Sequence, residues 1–202
     1  MDIKSAEQFF QNVNLGEHSF DELIDHLSRA QNLEPYHLSI LIGKDQDKLD
    51  IALQKMADAS NRKILDVDAN EVISKIESET YANLDTLFKK YYADESILHL
   101  QNGSRLCGVY TGYTHSKVKY ATPQERYFLK KVQQKGGFYV IDINDDDDSD
   151  TTIRRAAQSI VHFPKPDSIF KTLLNKLKGV SVHGHQIETK RPEHYGKTSG
   201  NF

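Results

Sequence analysis

Ile97-Leu98-His99-Leu100-Gln101-Asn102-Gly103-Ser104-Arg105-Leu106 has the shape of a short buried strand that runs into a polar turn. It closes on two carboxamides, Gln101 and Asn102. A pair of carboxylates at such a strand end would hold a Mg²⁺ shell and polarise an attacking water. A carboxamide keeps the size and the hydrogen bonding, but it carries no charge and accepts no proton. The stretch therefore ends in groups that can hydrogen-bond but cannot hold a metal by charge or take up a proton.

Outward from this strand, short apolar runs alternate with amphipathic stretches, the pattern of a three-layer α/β domain. On the N-terminal side, Phe20, Leu23, Ile24 and Leu27 recur at helical spacing and predict a helix over 20–30. A strand over 37–42 follows, then a helix over 47–59 with Leu49, Ala52, Leu53 and Met56 inward. Next come a strand over 64–67 and a helix over 81–92 that turns Leu84, Leu87 and Phe88 to one face. On the C-terminal side, Thr122, Pro123 and Glu125 read as N-cap, first helical residue and capping-box partner. Gly136 and Gly137 end that helix. Strands over 138–143 and 159–163 and a last helix over 167–177 complete the set. The boundaries expected are a helical lead-in over 1–36, the αβα core over 37–178 and a polar tail over 179–202.

Several segments in this order resemble AAA-type ATPases. Lys63-Ile-Leu-Asp-Val-Asp68 followed by Ser74-Lys-Ile-Glu-Ser-Glu-Thr80 is similar to that family's second strand and pore loop. Asn83-Leu-Asp-Thr-Leu-Phe88 resembles its next helix, and the strand ending at Gln101 and Asn102 stands where the family's acid pair belongs. Tyr120-Ala-Thr-Pro-Gln-Glu-Arg-Tyr-Phe-Leu-Lys-Lys-Val132 looks like the family's following helix. Phe138-Tyr-Val-Ile-Asp-Ile-Asn144 resembles the strand that ends in a sensor Asn. Ile153-Arg-Arg155 and Ile160-Val-His-Phe163 resemble the arginine-finger turn and the last core strand. The likeness is closest to AAA ATPases encoded with bacterial contractile injection systems. It implies a P-loop NTPase-like αβα fold with a five-stranded parallel sheet of order 5-1-4-3-2. The family's helical lid would begin near Gly179. The polar stretch of roughly 20 residues from there is too short for a helical bundle with its own core, so no lid is expected.

Each motif of the resemblance is changed where its chemistry resides. A phosphate loop needs spaced glycines that let backbone N–H groups face the phosphates, then Lys and a hydroxyl. After Gly43 this loop has no glycine, Lys48 stands where the phosphate Lys would, and Leu49 or Asp50 replaces the hydroxyl. Asp45, Asp47 and Asp50 would repel a triphosphate. The pore-loop positions hold Ile76 and Glu77, a poor grip on a threaded chain. Asn144 keeps the sensor place without a nucleophile to orient. Arg154 or Arg155 matches the finger, which acts on a neighbour's nucleotide.

Other chemical readings are weaker still. Gly196-Lys-Thr198 copies the end of a phosphate loop, but Arg191 stands where the first glycine belongs. Asp145-Asp-Asp-Asp148 lacks the Gly and Glu spacing of an EF-hand loop. His183, His185 and His194 have no Cys or carboxylate framework for a metal. Cys107 reads as core, and as the single cysteine it forms no internal disulfide, which suits a reducing compartment.

Composition fits a soluble globular chain: 202 residues, 38% hydrophobic and 27% charged. A net charge of −3 gives no general attraction to nucleic acid. No apolar stretch is long enough for a membrane span, and the early residues lack a basic start with an apolar run. A cytoplasmic pseudo-ATPase is the expectation: not an enzyme, without cofactor or metal, binding protein partners such as an active AAA ATPase or a second copy. The alternative is a regulator that binds nucleotide weakly without hydrolysis and supplies an arginine in trans.

Overall fold

A computed structural model describes residues 10–29, 35–110, 119–163, 180–183 and 186–189. The chain divides into two compact units at Pro164. The first is built on a wholly parallel sheet. Its strands are β1 (Phe10–Asn14), β2 (His37–Ile42), β3 (Lys63–Asp68), β4 (Ser96–Gln101), β7 (Phe138–Ile143) and β8 (Ser159–His162). A short antiparallel pair, β5 (Val109–Tyr110) and β6 (Lys119–Tyr120), stands apart from it.

The spatial order is β1-β8-β2-β7-β4-β3, so the sheet has six strands. Numbered by position along the chain, that order is 1-6-2-5-4-3. The expected five-stranded sheet of order 5-1-4-3-2 is corrected by β1, which lies outside β8 at the edge. Phe10 pairs with Ser159 and Val13 with Val161, with a register shift between them. The lead-in expected to be helical does hold a helix, His18–Arg29, but Phe10–Asn14 ahead of it is a strand, whose buried residues Phe10 and Val13 stand three apart and not at the even spacing of a regular strand.

Helices cover both faces of the sheet. On one face lie α1 (His18–Arg29) and α2 (Gln46–Ser60), whose Phe20, Leu23, Leu27, Leu53 and Met56 pack on Leu41, Ile97, Phe138 and Val161. The other face carries α3 (Ala69–Val72), α4 (Glu77–Lys90), α5 (Pro123–Lys135) and α6 (Thr151–Ala156). There Leu84, Phe88, Phe128, Val132 and Ile153 meet Ile40, Leu98, Tyr139 and Ile160. Buried on both faces, β2 and β7 are almost continuously apolar, as parallel strands in such a fold must be. Cys107 is buried in the second core.

The helix ends follow their sequence signals. Thr122 accepts the Glu125 amide at 3.0 Å with Pro123 in the first turn, and Gly136 closes α5 at φ 67°. The α4 helix begins four residues before the expected position, and its first turn takes in Glu77. The second unit holds an antiparallel pair, β9 (Val180–His183) and β10 (Gln186–Thr189), in a stretch whose composition read as a tail. The helix expected over 167–177 lies outside the described residues. No described helix is long and apolar enough to cross a membrane.

Candidate functional site

The C-terminal ends of β2, β4 and β7 converge on the sheet edge where open α/β domains bind ligands. They surround a polar cavity of about 100 Å³ lined by Gly43, Lys44, Asp45, Asn102, Asp142 and Asn144, among others. Small-molecule sites run to several hundred Å³, so this cavity is small beside them.

The loop into α2 explains the small volume. Asp45 is the N-cap of α2: its Oδ1 accepts the Lys48 amide at 3.2 Å, and its Oδ2 lies 3.1 Å from Lys48 Nζ. The side-chain contact with Lys48, reinforced by the amide, holds the Asp45 carboxyl below its usual range. In a phosphate loop, the free amides at this helix start and the following Lys would take up phosphate. Here the chain's own carboxylate occupies that place. Gly43 serves packing: a Cβ there would come within 2.6 Å of the Phe163 ring. Lys44 is bound by Asp145 at 2.8 Å.

Opposite the loop, Asn102 sits in the left-handed region at φ 56°, a conformation asparagine tolerates better than most residues. Its Nδ2 donates to Asp68 Oδ1 at 3.0 Å, tying the end of β4 to the end of β3. Gln101, the last residue of β4, is half-buried, and Asn144, just past β7, is exposed.

Sequence reasoning missed a polar cluster beside this cavity. His99 is fully buried in β4 between two acids on neighbouring strands. Its Nδ1 meets Asp66 Oδ1 at 2.7 Å, and its Nε2 faces Asp142 Oδ2 at 3.7 Å without a hydrogen-bond partner. Burial works to lower its pKa, but Asp142 and Asp66 together outweigh burial and raise it, favouring the imidazolium. Asp142 also accepts the Gly103 amide at 3.3 Å, which fixes the turn after β4. A signal was present: Asp66, His99 and Asp142 are each a lone polar residue between aliphatic neighbours in a strand.

The remaining predicted residues lie apart from the cavity. Arg154 donates to Asp146 at 2.9 Å and Ser149 at 3.0 Å. Arg155 is exposed and lines an open cleft of about 360 Å³ with Gln11, Thr151 and Arg154, next to edge strand β1. Ile76 is the exposed N-cap of α4 and Glu77 its first residue, so the pore-loop-like pair opens a helix. Within the acidic run Asp146–Asp148 forms a single 3-10 turn, and Asp146 also faces His162 at 3.6 Å. Among the described residues, no group of three or more His, Cys, Asp or Glu side chains is placed to hold a metal ion. His185, His194 and the Gly196-Lys-Thr198 stretch lie outside the described residues. Compared with known proteins, the chain matches no protein-family model and no curated sequence.

Proposed function

We propose that this chain is a degenerate, lid-less AAA-type core that no longer binds or hydrolyses ATP and acts as a protein-binding scaffold or assembly partner. The observation that carries the reading is Asp45, whose carboxylate caps α2 and pairs with Lys48 where a phosphate would have to sit. The small cavity and the uncharged strand end at Gln101 and Asn102 point the same way. The arrangement of strands supports the family assignment: β8, β2, β7, β4 and β3 lie side by side in that sequence. Partner contact falls to the surface, with Arg155 the exposed member of the arginine pair and an active AAA ATPase or a second copy its candidate partner.

The test is titration calorimetry and thermal shift of the full chain with ATP-Mg²⁺, alongside an ATPase assay. A ligand that binds only the native state at 100 times its dissociation constant stabilises by about 2.7 kcal/mol, so a micromolar site would give a shift of degrees at millimolar ATP. No heat, no shift and no turnover are expected. Mg²⁺-dependent turnover would overturn the reading. A thermal shift lost in Lys48→Ala would replace it with a nucleotide-binding regulator.

A further inference from the structure

A second pair of acids lies outside the lining of the strand-end cavity, on the α5 and α6 side of the sheet. Glu125, in the first turn of α5, is fully buried, and neither of its carboxyl oxygens has a well-formed hydrogen bond. Its neighbour is Asp150, the N-cap of α6, only 3% exposed. The Asp150 carboxylate accepts three backbone amides and keeps one acceptor position. Oδ1 accepts the Thr152 and Ile153 amides at 2.6 and 3.4 Å, and Oδ2 accepts the Gly108 amide at 2.9 Å. Gly108 is packed so closely that a Cβ there would meet Tyr120 O at 2.5 Å and Asp150 Oδ2 at 2.7 Å.

Two buried carboxyls in contact cannot both be ionised without a cation between them. The described charged groups that act on Glu125 are Asp150 from α6 and Arg126 from its own helix, and Arg126 is exposed to solvent. The turn before β5 contributes the Gly108 amide and β6 the Tyr120 carbonyl, neither of which titrates. One proton is therefore required, and it belongs on Glu125, because Asp150 already accepts three amides.

We propose that Glu125 and Asp150 form a proton-dependent latch, in which the protonated Glu125 carboxyl joins the start of α5 to the cap of α6, and its ionisation loosens the first turn of α6. Burial first, and then Asp150, push the Glu125 carboxyl up to about 9. Burial alone would also raise Asp150, but Glu125 and the three amides outweigh it and hold Asp150 low. The folded pKa of Glu125 stands above its unfolded one. Its stabilising contribution is complete below the unfolded value and is lost as pH rises towards the folded one. The latch is thus closed at neutral pH and opens in mild alkali. It does not depend on whether the chain binds nucleotide.

The experiment follows the full chain by NMR, with ¹³C-labelled glutamate to read the Glu125 carboxyl and amide exchange to read Thr152 and Ile153. Glu125 is expected to titrate above neutrality. Over the same range the two amides should lose about tenfold or more of their protection after correction for the intrinsic rate. In Glu125→Gln, an uncharged stand-in for the protonated acid, the loss should disappear. Titration of wild-type Glu125 in the ordinary carboxylate range overturns the latch whether or not the variant folds. So does unchanged loss of protection in Glu125→Gln.

Discussion

At the scale of single residues, buried polar groups do most of the specifying. The Tyr91 hydroxyl accepts the Phe138 amide at 2.9 Å and lies 2.9 Å from Phe138 O and 3.1 Å from Ser96 O, joining the end of α4 to the starts of β7 and β4. Tyr91→Phe leaves a buried amide unpaired and should cost about 1–3 kcal/mol in urea unfolding. His37 is buried with Nε2 3.1 Å from Ser39 Oγ and 3.2 Å from Ser159 Oγ. Burial first, then His26, lower its pKa to about 3, so it is neutral in the fold. Such groups were only partly legible in the sequence. The carboxamides at 101 and 102 were visible because an acid pair was expected there. The partners of His99 were not, because strand neighbours become known only once the register is set. The capping role of Asp45 was open to reading, since an Asp before a helical run is a common N-cap, but its charge drew attention first.

At the scale of elements, β1 is the test. Among the described strands it pairs with β8 alone, and Phe10 and Val13 are the residues that anchor it in the core. Val13→Ala should cost on the order of 1–3 kcal/mol. Substitution at the outward Gln11 or Asn12 should cost far less, apart from the hydrogen bond from Gln11 Nε2 to Ala157 O at 2.9 Å. Equal losses at 11, 12 and 13 would mean that the strand is placed differently. The other elements were easier to read. β2 and β7 announce themselves as apolar runs, and α5 carries both its start and stop signals. β1 escaped because its shifted register breaks the alternation and half of it faces solvent.

At the scale of the whole molecule, four buried ionisable groups, His37, Glu125, His99 and Asp150, shape the pH dependence. His37, with a lowered folded pKa, withdraws stability as pH falls below about 6.5. Glu125 withdraws it as pH rises from about 4.5 towards 9. His99, raised by its two acids, withdraws it as pH rises above about 6.5. Between 4.5 and 6.5 the His37 and Glu125 slopes oppose each other, one proton each. Below that window His37 and Asp150 act together, and above it Glu125 and His99 do. Tm is therefore expected to be nearly flat from about pH 4.5 to 6.5 and to fall on both sides. A maximum at pH 8 to 9 would contradict these assignments. His99→Gln should shallow the alkaline fall and leave the acid side unchanged.

The position of β2 has a consequence for how the chain is made. Both neighbours of this central strand, β7 and β8, come from beyond residue 137, and β1 waits for β8 as well. A nascent chain leaving the ribosome thus presents a strand that is buried at every position in the fold long before a partner exists, while β3 and β4 can already pair as a local unit. Assembly of the centre therefore waits until β7 and β8 have been made. Chains halted before β7 should accumulate as aggregates or in chaperone complexes, and ribosome-bound chains carried past β8 should become protease-resistant abruptly.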